Sequence, residues 1–191
     1  MMKIIFDIET TGLPLKPYGF DKYYDPSRVE YYNSSRMVQL GYIVIDDENK
    51  EVKEYSSIVL PVDFRIENEH IHGISNEMAL NEGKDVGEVL RIFFNDVKRC
   101  DTLIAHNIKF DFNIVLSEMY RLGMSECIRE FGMKKLYCTM AESKKIFGFC
   151  KSPKLVELFS HLHRGKTWNQ IHDALDDARC CMASYVKMNS K

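Results

Sequence analysis

The chain contains 191 residues, of which 45% are hydrophobic and 12% aromatic, and its 26 basic and 28 acidic side chains give a formal net charge of −2. This composition excludes an intrinsically disordered chain, a collagen-like repeat and a small disulfide scaffold, and the overall charge gives no indication of a polyanionic partner. A chain of this length buries about 70% of the surface that its unfolded form exposes, so we expect a single domain spanning residues 1–191.

The N-terminal part of the chain is predicted to form three antiparallel strands. Residues 3–8, 37–45 and 51–60 are short runs rich in β-branched and aromatic side chains, which favours strands. The polar cluster at 46–50 predicts a hairpin turn between the second and third strands, and Pro61 is expected to end the third strand.

Residues 14–35 follow neither a helical nor a strand period. The segment is rich in aromatic residues, six in all: Tyr18, Phe20, Tyr23, Tyr24, Tyr31 and Tyr32. We therefore expect a long aromatic insertion between the first two strands.

The rest of the chain is predicted to alternate helices and strands. Apolar residues have helical spacing in 85–97 and 110–122, and short buried strands are expected at 102–105 and 136–138. Three further helices are predicted, at about 139–147, 152–162 and 173–188. Together these elements predict an α/β domain built on a mixed five-stranded sheet with helices on both faces.

Charge is distributed unevenly along the chain. Residues 131–170 contain eight Lys or Arg and only two Glu, a local charge of +6, so the other 151 residues carry −8. An acidic body with one basic segment suits a protein that binds cations in one place and a polyanion in another. Solvated faces of ordinary helices explain the same pattern equally well.

The cysteines and the N-terminus indicate an intracellular protein, cytoplasmic or nuclear. The six cysteines are scattered and form no C-x-x-C motif, which suits reduced thiols. A zinc site formed by Cys138, Cys150, His161 and His163 is disfavoured because the two cysteines lack a short spacing. We expect no signal peptide, since charged residues follow the first six, and no membrane association, since no apolar run approaches the roughly 20 residues that a span needs.

The first unusual segment is a pair of acids within a predicted strand. Asp7 and Glu9 flank Ile8, so the period of a strand places both carboxylates on the same face. Two like charges there repel each other unless a cation joins them or water hydrates them at the strand end. Hydroxyl groups and an open backbone follow directly, at Thr10, Thr11 and Gly12.

The second segment, IAHNIKFDFNIV at 104–115, leaves a buried strand through His106 and Asn107 and enters a helix. Asp111 lies among apolar neighbours in the first turn of that helix. Taken alone, this acid is explained by the favourable interaction of a negative charge with a helix N-terminus.

The third segment, HDALDDA at 172–178, lies near the start of the last predicted helix. His172 and Asp177 are five residues apart, with two further acids between them. A helix face with several acids is more often solvated than part of an active site.

Taken together, the three segments resemble the three motifs of the DEDD exonuclease superfamily. They resemble its histidine-containing DEDDh branch, to which the epsilon proofreading subunit of bacterial DNA polymerase III also belongs. FDIETTG at 6–12 is similar to the first motif, AHNIKFDFNIV to the second and HDALDDA to the third, in the same order and with similar separations. His72, Gly73, Ile74 and Ser75 resemble a further stretch that family members carry before the second motif.

The resemblance, which covers about residues 3–185, implies an RNase H-like fold and a 3′–5′ exonuclease. Such an enzyme would release nucleoside 5′-monophosphates from the 3′ ends of single-stranded DNA or RNA. The resemblance further implies that four carboxylates bind two divalent cations, Mg²⁺ or Mn²⁺: Asp7, Glu9, Asp111 and Asp177. His172 would be the general base, as suits a side chain with a pKa near neutrality. If the register of the third motif is shifted by one residue, Asp176 takes the place of Asp177 as a metal ligand.

By the same resemblance, seven residues would surround the terminal nucleotide: Thr10, Thr11, Gly12, His72, His106, Asn107 and Phe110. A position in the core explains Phe110 equally well, and a hydrogen-bonded position at a strand end explains His106. Gln39 and Cys138 depart from the family pattern, because many members carry an acid at these places. Neither residue is an expected metal ligand, so the departures affect only the subfamily.

Two other functions are compatible with the sequence. The chain could be a proofreading subunit within a polymerase complex, since no polymerase domain fits in its length, or a non-catalytic nucleic-acid-binding module of the same fold. The presence of all five family positions argues against the second. The aromatic insertion at 14–35 could stack on unpaired bases of a substrate, or its tyrosines could pack on the sheet or form a homodimer contact, which is the commoner role.

Overall fold

A computed structural model describes residues 2–18 and 22–190, so Phe20 of the predicted insertion lies outside the described residues. Its sheet has five strands: β1 (Met2–Thr10), β2 (Met37–Ile45), β3 (Glu51–Ile58), β4 (Cys100–Ala105) and β5 (Lys135–Cys138). The strand order is β3-β2-β1-β4-β5. The first three strands are antiparallel to one another, whereas β4 pairs parallel with β1 and with β5. The predicted mixed α/β sheet is therefore confirmed.

The described ranges contain eight α-helices: α1 (Glu69–His72), α2 (Asn76–Glu82), α3 (Val86–Val97), α4 (Ile108–Arg121), α5 (Ser125–Gly132), α6 (Thr139–Phe147), α7 (Leu155–Leu162) and α8 (Ala174–Asn189). The sequence predicted five of them. It missed α1, α2 and α5, which are short, and it began α7 three residues early, where Lys154 is instead the N-cap. None of the helices in the described ranges is both long and apolar enough to cross a membrane.

Helices cover both faces of the sheet, as predicted. On one face, Ile4, Phe6 and Ile8 of β1 join a core formed with α3, α4 and α5. On the other face, Ile5 of the same strand joins a core formed with α7 and α8. The alternation of a strand thus gives β1 two apolar faces, as expected for the central strand of a three-layer domain.

The aromatic insertion packs on the outer side of α4. Arg36, directly after the insertion, forms a buried ion pair with Glu118 of α4, with Arg36 Nε 2.8 Å from Glu118 Oε1. Arg121 Nη2 donates a hydrogen bond of 2.6 Å to the carbonyl oxygen of Val29. The insertion also contributes the fully buried Tyr32 to the core, and the polar contacts tie it to the helix that carries Asp111.

Candidate active site

The site begins on the face of β1 that α8 covers. Ile5, Asp7 and Glu9 follow one another on this face, so the face changes from apolar to acidic toward the C-terminal end of the strand. In the antiparallel register with β2, Asp7 lies opposite Gly41 and Glu9 lies opposite Gln39. Both carboxylates are half-buried.

Gly41 allows the start of α8 to approach the sheet at this point. A Cβ atom added at Gly41 would overlap the backbone of Ala174 and Leu175. Position 41 therefore requires a residue without a side chain, because the helix backbone crosses the strand there. Because α8 lies so close to β2, its first turn reaches the acidic end of the neighbouring β1.

Gln39 holds the start of α8 in place by two hydrogen bonds. Its Nε2 donates to Asp173 Oδ2 at 2.7 Å, and its Oε1 accepts from the backbone N–H of Ala174 at 3.0 Å. The other oxygen of Asp173 accepts from the N–H groups of Leu175 and Asp176, which is an N-cap. Asp177 follows within the first turn, so this contact sets its position against β1.

Asp177 is brought together with Glu9 and His172. One potential ligand atom from each of these three side chains lies within 4.8 Å of the other two. Gln170 Nε2 donates to both carboxylate oxygens of Asp177, each at 3.0 Å. His172 is exposed and has a left-handed backbone conformation, with φ of 51°, which places it in the turn before the helix.

Asp111 enters the site from the first turn of α4, where its side chain is only 2% exposed. The preceding Asn107 has a φ of 65°, and this left-handed residue turns the chain sharply from β4 into the helix. Asp111 interacts electrostatically with Asp7, Glu9 and Asp177. The four predicted carboxylates therefore converge, although only two of them belong to the cluster with His172.

Burial and mutual repulsion disfavour the charged forms of these acids. Burial, followed by the charges of Asp111, Asp177 and Glu9, raises the pKa of Asp7 well above its usual value. Burial also raises the pKa of Asp111 well above its usual value, and raises that of Asp177. Burial and then the charge of Asp177 raise the pKa of Glu9 to about 8. A bound cation would reverse this effect, so the site suits a positively charged ligand.

The donor set fits hard divalent cations. Mg²⁺ and Mn²⁺ prefer carboxylate oxygens, and four carboxylates are present. The imidazole of His172 lies close enough to Glu9 and Asp177 to join a metal site as well as to act as a base. The arrangement of these side chains can thus bind divalent cations and place a titratable group beside them.

Thr10, Thr11 and Gly12 form a tight turn next to Glu9. Thr10 Oγ1 donates to the carbonyl oxygen of Gly12 at 2.8 Å, and Thr11 Oγ1 donates to that of Ser34 at 3.2 Å. A Cβ atom at Gly12 would lie 2.9 Å from the Ser34 oxygen. The insertion therefore supports this turn, and the Thr10 and Thr11 hydroxyl groups already have backbone partners.

Asn68 links His72 to the turn of Thr10, Thr11 and Gly12, so His72 and this turn lie on the same rim of the site. Asn68 Nδ2 donates to the carbonyl oxygen of Thr10 at 2.9 Å, and Asn68 Oδ1 lies 3.3 Å from His72 Nε2. The other ring nitrogen of His72 accepts from the N–H of Ile74, so the imidazole is neutral with its proton on Nε2. Burial lowers the pKa of His72, which favours the same form.

The remaining predicted residues lie around the start of α4. Both ring nitrogens of His106 have partners within 3.0 Å, Thr139 Oγ1 and the carbonyl oxygen of Pro153. Phe110 is half-buried against the core, and its ring centroid lies 6.3 Å from that of Tyr23. Asn107 lines a neighbouring cavity. His106 thus has the contacts of a structural histidine, which is one of the two roles that the sequence allowed for it.

Three polar residues that support the site were not predicted: Gln39 as a helix anchor, Gln170 and Asn68. Gln39 had a usable signal, since it is a polar side chain within an otherwise apolar strand. Gln170 and Asn68 lie in loops whose sequence has no distinguishing pattern.

Comparisons with known proteins bear on the family and the fold of the chain. A comparison with curated protein sequences found no significant match. Among solved structures, the chain is similar to Exonuclease X in complex with 5′-overhanging duplex DNA, with 22% identity, a TM-score of 0.65 and coverage of 98% of this chain and 91% of that chain. It is also similar to E. coli Exonuclease I in complex with a dT13 oligonucleotide, with 15% identity, a TM-score of 0.69 and coverage of 97% of this chain but 41% of that one. The RNase_T family model, which describes exonucleases, matches residues 4–185, so the chain belongs to this exonuclease family.

Proposed function

We propose that this chain is a DEDDh-type 3′–5′ exonuclease that releases nucleoside 5′-monophosphates from the 3′ ends of single-stranded DNA or RNA. The observation that carries this proposal is the convergence of four acids of raised pKa beside an exposed histidine. These groups come from β1, α4 and the start of α8, in a chain whose family is exonucleolytic.

The four acids would hold two divalent cations, Mg²⁺ or Mn²⁺: Asp7, Glu9, Asp111 and Asp177. When bound, two such cations stabilise the negative charge that develops on the attacking and leaving oxygens of a displacement at phosphorus. The protein supplies the fixed geometry, since β1 and the two helices are packed in the core. Gln170 orients Asp177 by donating to both of its oxygens.

His172 would accept the proton of the attacking water. The imidazole is exposed, so it can pass this proton to solvent, and it lies beside Glu9 and Asp177. Its position in the turn before α8 keeps it at the mouth of the site, whereas Asp7 and Asp111 lie deeper. General bases of this kind contribute about 10²- to 10⁴-fold to a rate.

The rim beside Glu9 would bind the 3′-terminal nucleotide. Thr10, Thr11 and Gly12 form a tight turn whose backbone a nucleotide could approach closely, and Asn68 holds His72 next to this turn. Asn107 and Phe110 lie at the start of α4, on the side of the insertion. Both of the similar structures are complexes with DNA, which supports DNA as the first substrate to test.

The test is a degradation assay with 5′-labelled DNA and RNA strands of the same sequence. We expect shortening from the 3′ end in Mg²⁺ or Mn²⁺, no shortening in EDTA, and nucleoside 5′-monophosphates as the products in mass spectrometry. A strand with a 3′-terminal phosphorothioate linkage controls for direction, because it should resist the first cleavage. If both strands remain intact while the protein still binds them, the chain is a binding module and the proposal is wrong.

A further inference from the structure

A cavity of about 700 Å³ opens beside the start of α4, and of its described lining residues the proposed function uses Asn107 alone. Its walls come from three places: the aromatic insertion, the first turns of α4 and the residues that follow β5. The volume is within the range of small-molecule and nucleotide sites, about 300 to 1,000 Å³.

The cavity is cationic, in contrast to the acidic site. Three lysines line it, Lys16, Lys22 and Lys109, and none of the described lining residues carries a carboxylate. Within the described part of the chain, neither Lys22 nor Lys109 has an ion pair or hydrogen-bond partner. Lys109 precedes the buried Asp111 by two residues on α4. The first turn of this helix therefore separates a positive cavity from a negative site.

Aromatic and amide groups accompany the lysines. The ring of Tyr23 lies on the wall, 5.0 Å from Lys16 Nζ and 6.3 Å from the ring centroid of Phe110. The amide side chains of Asn107 and Asn113 complete this part of the wall. Proteins that bind single-stranded nucleic acid without sequence preference combine two features: positively charged side chains that contact the phosphates and aromatic rings that stack on the bases.

We propose that this cavity binds the substrate strand upstream of its 3′-terminal nucleotide, with Lys22 and Lys109 contacting backbone phosphates and Tyr23 contacting a base. The inference rests on the proposed function, because that function places the 3′ end on the other side of the first turn of α4. The proposed function places Phe110 beside the terminal nucleotide, and the ring centroid of Tyr23 on the cavity wall lies 6.3 Å from that of Phe110, so the two rings mark a continuous path for the strand. The cavity thus sets affinity for strands of several nucleotides, and not for the scissile bond itself.

The first experiment measures binding without hydrolysis. Fluorescence anisotropy of a labelled twelve-nucleotide DNA strand in EDTA gives Kd over a series of salt concentrations. We expect the double variant Lys22→Glu/Lys109→Glu to weaken binding about tenfold or more and to reduce the slope of log Kd against log salt by about 1.4, the value for two lost contacts with a single strand.

The matched control is Lys50→Glu/Lys187→Glu, which changes the net charge equally. Lys50 lies in the hairpin that follows the end of β2, and this end of β2 pairs with the start of β1. Lys187 lies in the last turn of α8. Both lysines are therefore remote from the acidic end of β1 and from the first turn of α8. We expect this control to keep the salt slope of the parent protein. An equal loss in both double variants would overturn the cavity proposal, because general charge would then explain the binding. Lys22→Gln/Lys109→Gln, with the smaller charge change, provides the same comparison if the reversal variant folds poorly.

The second experiment compares substrates of different length in Mg²⁺. For the cavity variant, we expect the loss in kcat/KM on the twelve-nucleotide strand to exceed that on a dinucleotide by about fivefold or more, because only the longer strand reaches the cavity. Equal losses on both substrates would overturn the proposal. Failure of the parent protein to cleave either substrate would instead contradict the proposed function, and the anisotropy series would still test the cavity.

Discussion

Gln39 of β2 and Asp173 before α8 are joined by a hydrogen bond of 2.7 Å across 134 residues of sequence. Gln39 also accepts from the N–H of Ala174 at 3.0 Å, so one amide group binds both the cap and the first residue of the helix. Because Glu9 pairs with Gln39 in the sheet and Asp177 lies in the first turn of α8, this contact fixes the distance between two of the acids.

We predict that Gln39→Leu lowers stability by about 1–3 kcal/mol, the cost of leaving buried polar partners without a hydrogen bond. Cleavage in Mg²⁺ should fall about tenfold through kcat, because Asp177 loses its fixed position. Ser56→Ala is the control, since it removes only the contact of Gln39 Nε2 with Ser56 Oγ at 3.1 Å. Urea unfolding and steady-state kinetics measure both effects. A Leu variant with unchanged kcat would show that Gln39 does not position the acid.

The four acids should each be required for hydrolysis. We predict that alanine variants lose at least about 10³-fold in rate yet remain folded, since each removes a repelling charge from the metal-free site. The variants are Asp7→Ala, Glu9→Ala, Asp111→Ala and Asp177→Ala. Circular dichroism and a strand-degradation assay in Mg²⁺ check the two parts of this prediction.

Asp176→Ala is the control that decides the register of the third motif. The carboxylate of Asp176 accepts a hydrogen bond of 2.8 Å from Trp168 Nε1, away from the cluster of Glu9, His172 and Asp177. We expect it to retain activity within a few-fold of the parent protein. Full turnover in any two of the four acid variants, or loss of activity in Asp176→Ala alone, would contradict the assignment of the site.

His172 should act as a base and not as an indispensable ligand. We predict that His172→Ala lowers the rate by about 10²- to 10⁴-fold and changes the acidic limb of the pH–rate profile. Calorimetry should still detect metal binding, because four carboxylates remain. The proximity of His172 to Glu9 and Asp177 makes the opposite outcome informative. Loss of metal affinity in this variant would identify His172 as a ligand.

The metal-free protein should lose stability as the pH rises, partly because of Glu9. Its pKa is raised from 4.5 to about 8 by burial first and then by the charge of Asp177. Between these two pH values the unfolded chain releases a proton that the folded chain keeps, so stability falls through this window and the full loss is present above pH 8. Below pH 4.5 both states are protonated and Glu9 makes no difference.

We therefore predict that Glu9→Gln, in EDTA, is more stable than the parent protein at pH 8 by about 2 kcal/mol or more, and equally stable near pH 4. Urea unfolding at both pH values measures this difference. Adding Mg²⁺ should stabilise the parent protein more than the variant, because the variant lacks one carboxylate. An equal dependence of stability on pH in both proteins would show that Glu9 is not responsible.

The sequence predicted the parts of the molecule that have a local pattern. Strands such as β2 follow from runs of β-branched and aromatic residues, and α3 follows from helical spacing over 12 residues. The short α5 was missed because eight residues provide only two turns of that spacing. Glu9 was singled out as a candidate because an acid within an apolar strand is unusual.

The supporting contacts of the site could not be predicted in the same way. Gly41 has an ordinary backbone conformation, and its role depends on a helix more than 130 residues later in the chain. Gln170 lies in a loop, where an amide side chain has no preferred partner. Such roles arise from tertiary approach, which leaves no period or motif in the sequence.

The aromatic insertion should contain tyrosines of two kinds. Tyr24 stacks on Tyr31 with ring centroids 3.6 Å apart, and its carbonyl oxygen accepts a 2.6 Å hydrogen bond from the hydroxyl of the fully buried Tyr32. Arg28 lies over the Tyr31 ring, at 4.4 Å, and closes this stack. Tyr23 instead lines the cationic cavity.

We predict that Tyr24→Ala lowers stability by about 1–2 kcal/mol through the lost aromatic pair, with KM for single-stranded substrate within twofold of the parent value. Tyr23→Ala should instead raise KM several-fold, because stacking on a base contributes about 1 to 3 kcal/mol. It should lower Tm less than Tyr24→Ala does, because Tyr23 is only partly buried against Phe110 and the core. The two variants serve as controls for each other, since each removes one tyrosine from the same segment. Thermal unfolding and steady-state kinetics on a twelve-nucleotide strand separate the two effects. A large loss of Tm with unchanged KM in Tyr23→Ala would show that this tyrosine, too, only holds the insertion on α4.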